Sequence, residues 1–109
     1  MAVVIVRAGS CGFISRIEAK PLEGRRASLA IASDCPNVTA LAGRLAELGL
    51  RDVLTRGWGQ GPVFAAAAET LAHNACPVPA GLIKAVEVAL GLNVPAAASI
   101  EFEEDQGRG

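Results

Sequence analysis

The chain predicts an α+β fold: an antiparallel three-stranded meander followed by two to three helices, with a C-terminal fourth strand added to the sheet. Three observations carry this expectation. Residues 2–33 hold three short apolar or alternating runs separated by glycine-containing turns. Residues 36–90 switch to apolar spacings of three and four, with prolines at segment starts and glycines at stops. Residues 97–104 return to alternation. The 109 residues are 51% hydrophobic, enough for one domain over 1–104 to bury a core without disulfides. The polar end, 105–109, reads as a disordered tail.

The elements follow in order. "AVVIVRA" (2–8) is continuously apolar and β-branched, while "GFISRIEAK" (12–20) sets Phe13, Ser15, Ile17 and Ala19 against Arg16, Glu18 and Lys20. "GSCG" (9–12) joins them as a hairpin with Cys11 at its tip. After "PLEGRR", "ASLAIAS" (27–33) alternates Ala27, Leu29 and Ile31 with Ser28, Ala30 and Ala32 and completes the meander. In "SDCPNV" Pro36 suits a first helical position, where its missing N–H costs nothing, and Cys35 becomes the N-cap. That helix should bury Val38, Leu41, Ala42, Leu45 and Leu48 and stop at Gly49. Residues 50–62 read as a glycine-rich loop with at most a helical turn over 51–55. An alanine-rich helix from Pro62 presents Phe64, Ala67, Ala68 and Leu71 and gives out near His73. A last helix from about Pro77 to Leu90 turns Val78, Leu82, Ala85, Val86 and Ala89 inward. "AASIEFEE" (97–104) then alternates Ala98, Ile100 and Phe102 with Ser99, Glu101 and Glu103.

Composition excludes several functions. Ten basic and eleven acidic residues give a formal charge of −1, with no tyrosine and one tryptophan. There is neither a basic field for phosphates nor a stacking platform, so nucleic acid is not an expected partner. The N-terminal apolar run is five residues long without a basic region before it, and no stretch approaches the roughly 18 apolar residues of a membrane span. No membrane partner is expected, and the expected location is the cytoplasm. "GWGQGP" follows no clear strand and lacks the Lys-Ser/Thr of a phosphate loop, so Trp58 within it reads as an exposed contact for a partner. A single histidine without a nucleophile-elbow motif does not support a hydrolase, and the chain reads as a binding protein rather than an enzyme.

The three cysteines stand at positions 11, 35 and 76, an odd number with separations that suit no disulfide framework, so free thiols in a reducing compartment are the expectation. All three fall at ends of elements, whereas a cysteine used as a small core hydrophobe belongs in mid-element. Two would sit at helix starts, where the dipole favours the thiolate that binds metal or attacks an electrophile. In a meander, the first hairpin turn and the exit of the third strand lie at one end of the sheet, which brings Cys11 and Cys35 together. If the last helix starts at that end, Cys76 and His73 join them. Three sulfurs and an imidazole suit an iron–sulfur cluster or zinc. His73 carries a second reading, since a histidine just past a helix also serves as a dipole-favoured end residue. Asp34 reads either as a helix-start acid or as an alternate oxygen ligand or ligand-orienting group.

This layout resembles the U-type iron–sulfur cluster assembly scaffolds, the IscU/NifU family, over roughly residues 2–90. The resemblance rests on Cys11-Gly12 after the first strand, on Cys35 opening the first helix, and on Cys76 with a nearby histidine opening a late helix, "CPVPAGLIKAVEVAL". Departures are Phe13 where that family has an acid, His73 three positions before Cys76 rather than beside it, and no "LPPVK"-like chaperone motif or N-terminal helix. The resemblance implies cluster or zinc binding at Cys11, Cys35 and Cys76, with a protein partner for cluster or sulfur transfer. Two other readings stay open: a non-metal sulfur carrier working through a cysteine persulfide on Cys76 or Cys35, and an interaction module that forms a homodimer through the alanine-rich helix or an open sheet edge.

Overall fold

The computed structural model describes residues 1–54 and 57–104. Its elements are β1 (Ala2–Arg7), β2 (Ile14–Leu22), β3 (Arg26–Ser33), α1 (Pro36–Ala42), β4 (Glu47–Gly49), α2 (Leu50–Val53), α3 (Pro62–Thr70) and α4 (Val78–Ala89). The expected disordered tail, 105–109, and the end of the expected 51–55 turn lie outside the described residues.

The four strands form one sheet in the order β1-β2-β3-β4, each antiparallel to its neighbour. Register follows the alternation in the sequence. Val4, Ile17 and Ile31 stand side by side, as do Ala2, Ala19 and Leu29, and as do Val6, Ser15 and Ser33. These rows make the covered face, with Ile17 and Ala19 fully buried, while Val3, Ile5, Arg16 and Lys20 are exposed. A one-residue slip would exchange the two sets, so burial of one face fixes the pairing. Helix α4 crosses β1 and β2, and α1 lies on β3 and against α3. Between these layers Leu41, Leu48, Leu82, Val63, Val78 and Val86 are buried with Ile17 in one core.

Three elements depart from the sequence expectation. The fourth strand is Glu47–Gly49, paired with β3, and residues 92–104 contain neither helix nor strand. Ile100 and Phe102 are 95% and 90% exposed. The alternation of 97–104 is real, but no edge of this sheet meets it within one chain. The first helix ends at Ala42, with Gly43 at its end, instead of running to Gly49. Leu45 and Leu48 are buried nonetheless, Leu48 as a strand residue opposite Ala27. Arg26 and Glu47 pair across this short ladder at the surface, a contact of small energetic weight. In α3 the buried residues are Val63, Ala66 and Ala67, one position away from the expected Phe64, Ala67, Ala68 face. Here a near-uniform run of alanines gave the periodicity little contrast to work with. The expected inward face of α4 is buried at Val78, Leu82, Ala85 and Val86.

Gly81 sets how closely α4 lies on the sheet. A Cβ at this position would stand 2.5 Å from Val6 Cγ2 and within 3.6 Å of Ile17 and Val4 side-chain atoms. Alanine at a helical position normally gains roughly 0.5–1 kcal/mol over glycine. Overpacking a close-packed core costs about 1–3 kcal/mol, the larger effect. Gly81→Ala should therefore destabilise the fold by about 1–2 kcal/mol net. Urea unfolding checks this, and Val6→Ala in the same chain should make the added methyl far better tolerated, because the two sites share one contact.

Candidate functional site

At the end of the sheet where β1 turns into β2 and β3 leads into α1, a cavity of about 330 Å³ opens. Cys11, Cys35, Cys76 and His73 all line it, with Phe13, Val38, Leu71 and Val78 among its apolar walls. Each thiol arrives from a different part of the chain, and each is placed by a different local device.

Cys11 stands at the tip of the β1–β2 hairpin and is exposed. The Gly12 N–H donates to the Gly9 carbonyl at 2.9 Å, and the Ala8 N–H to the Phe13 carbonyl at 3.1 Å. Gly9 and Gly12 have φ of 89° and 77°, a left-handed conformation that side chains disfavour. The two glycines are thus what lets so tight a turn present Ser10 and Cys11 to the cavity.

Cys35 is half-buried and is the N-cap of α1, with Pro36 following as expected. Its N–H donates to Ser33 Oγ at 3.1 Å, and Ser33 Oγ accepts from Ser15 Oγ at 2.9 Å. Its carbonyl accepts from the Thr39 N–H at 2.9 Å and from Thr39 Oγ1 at 3.1 Å. The peptide groups on both sides of the Cys35 side chain are therefore tethered, one to the sheet and one to the first helical turn.

Cys76 is half-buried just before α4. Its N–H donates to the His73 carbonyl at 3.3 Å, closing a turn over His73–Cys76. "HNAC" is thus a reverse turn that carries both candidate ligands from the end of α3 to the start of α4. The same turn borders a second, wider groove of about 940 Å³, lined by Trp58, Phe64, Ile83 and Lys84 as well as by His73 and Cys76. Trp58, 92% exposed, rests on Phe64 with ring centroids 5.3 Å apart.

The three thiols and His73 share this one cavity. Asp34 does not join them: it is exposed and lies off the cavity wall. Among the described residues, no three His, Cys, Asp or Glu side chains are gathered closely enough to hold one metal ion. The sequence reading missed Ser15 and Ser33. Ser15 is 2% exposed and is the one polar residue buried among the described residues. Its signal was visible, a hydroxyl in the inward row of Ile17 and Ala19, but its meaning depends on Ser33 standing opposite it across the β2–β3 ladder.

Over residues 2–102 the chain matches the family of unknown function DUF6951, and it belongs to that family. Comparison with curated proteins and with solved structures found no match.

The serine relay generates a test. Ser33→Ala removes the acceptor for the Cys35 N–H and leaves the buried Ser15 hydroxyl without its partner, a loss of about 1–3 kcal/mol. Chemical denaturation should show this, and Cys35 should be alkylated faster than in the parent protein. Parent-like stability together with a parent-like Cys35 rate would mean that the relay does not hold Cys35 in place.

Proposed function

We propose that this protein binds an iron–sulfur cluster as cargo, in cluster assembly or delivery, through the thiols of Cys11, Cys35 and Cys76, with His73 as the fourth ligand. One observation carries the reading: the three cysteines and the sole histidine, spread over 65 positions from 11 to 76, line a single cavity. Thiolate and imidazole are the donors that iron–sulfur clusters and zinc prefer. Size favours the cluster. A structural zinc site closes four ligands directly on the ion at roughly 2.0–2.3 Å. A cavity of about 330 Å³ with donors dispersed around its wall suits a multi-atom guest better. The layout resemblance to the U-type scaffolds points the same way.

Each residue then has a distinct task. Cys35, tethered through Ser33 and Thr39, is the fixed ligand. Cys76 and His73 arrive together on their turn, and exposed Cys11 leaves one side of the guest open to a receiving protein partner. Phe13, Val38, Leu71 and Val78 limit water around the sulfurs, which tunes metal–thiolate chemistry. Ligation requires deprotonated thiols, so binding strengthens as pH rises. Free thiols of this kind persist in a reducing compartment, and the cytoplasm is the proposed location. Among the described residues no helix is long and apolar enough to cross a membrane.

A second reading rests on Cys76 bordering both cavities. There its thiolate would attack the terminal sulfur of a donor persulfide, form a Cys76 persulfide and release the donor thiolate. Anaerobic purification with iron, sulfide and zinc analysis and a visible absorption spectrum separates the readings. The expected result is a coloured protein holding iron and sulfide, with Cys35→Ser and Cys76→Ser each losing both metal and stability. A colourless protein with stoichiometric zinc overturns the cluster in favour of a zinc centre. No metal after reconstitution, with all three thiols open to alkylation, overturns metal binding altogether, and a sulfur adduct found on Cys76 by mass spectrometry then supports the carrier.

A further inference from the structure

We propose that residues 97–102 form an added β-strand along the free edge of β1 in a second copy of this chain, so that two copies exchange segments and close into a dimer.

Each half of the contact is present in one chain, and among the described residues nothing pairs with the segment or with the outer edge of β1. The segment has the period-two pattern of a strand, with Ala98, Ile100 and Phe102 alternating with Ser99, Glu101 and Glu103. Yet Ile100 and Phe102 are 95% and 90% exposed, an unusual state for two large apolar side chains so close together. Beyond Leu92 the one backbone–backbone hydrogen bond among the described residues is the local Ala96 N–H to the Val94 carbonyl, so the amides and carbonyls of 97–104 have no backbone partner among those residues. On the other side, β1 is an outermost strand, paired through all six residues with β2 and with nothing beyond. Its outer-face residues Val3 and Ile5 are 44% and 48% exposed. A free edge of six residues with apolar side chains is a template for strand addition.

The choice of edge follows from length and charge. The opposite edge, β4, is three residues long and carries Glu47. β1 is six residues long, matches 97–102 in length, bears no acid and ends in Arg7. The segment carries Glu101 and no base, so it is attracted by Arg7 at the end of β1, while β4 is too short to pair with it along its length. Reciprocal exchange makes a two-fold, self-complementary interface that covers both free β1 edges and leaves nothing to propagate.

Sedimentation velocity over a concentration series, with amide hydrogen exchange on the full chain, tests this. The expected result is a dimer in which the amides of 97–102 are protected. Ile100→Asp with Phe102→Asp should give a monomer with an unchanged circular-dichroism spectrum, because these side chains are 95% and 90% exposed and lie outside the core. Ile5→Asp, on the accepting edge, should also weaken the dimer. A chain that stays monomeric at every concentration overturns the proposal, whether its 97–102 amides are unprotected or are protected by its own sheet. A dimer that survives the Ile100/Phe102 double change overturns it as well.

Discussion

The arrangement depends on one close contact, the seating of α4 on β1 and β2 at Gly81. With no side chain there, the helix backbone reaches the Val6 side chain, and Leu82, Ala85 and Val86 follow into a fully buried position. Interiors are packed too densely to absorb a shift of the whole helix, so this contact also fixes where the helix begins. Its start carries the His73–Cys76 turn. A packing constraint in the first turn of α4 thereby positions the third thiol against the two supplied by the sheet.

Much of this was legible in the residues themselves. The meander could be read because β-branched runs and glycine turns mark strands directly, and α4 because proline, periodic valine and leucine, and glycine agree. The α1 boundary could not be read from spacing. Leu45 and Leu48 sit where a continuing helix would bury them, but a chain that turns at Gly43 and enters a short strand buries them too. Periodicity records that a residue is inside, not which backbone path took it there. At α3 the alanines left no contrast, and the face was misplaced by one residue.

The site was legible for a topological reason. In a meander the first turn and the end of the third strand share one end of the sheet, whatever the side chains are, and Cys11 and Cys35 occupy those two places. What stayed hidden depends on side chains meeting across strands. Ser15 and Ser33 are 18 positions apart, and only the β2–β3 register makes them partners and anchors for Cys35. Asp34 shows the converse: adjacency in sequence to a lining residue does not by itself carry a side chain to the same wall.

The dispersal of the thiols also orders events in time. A knuckle of two cysteines a few residues apart exists in any conformation of the chain, so it can capture a guest before folding. Cys11, Cys35 and Cys76 have no such local precursor. Their cavity has long loops to close, and one of its walls belongs to the start of α4, where Cys76 stands 65 positions after Cys11 in the chain. Whatever the cavity receives, it receives only after α4 has packed on the sheet, and occupancy becomes a report on that packing.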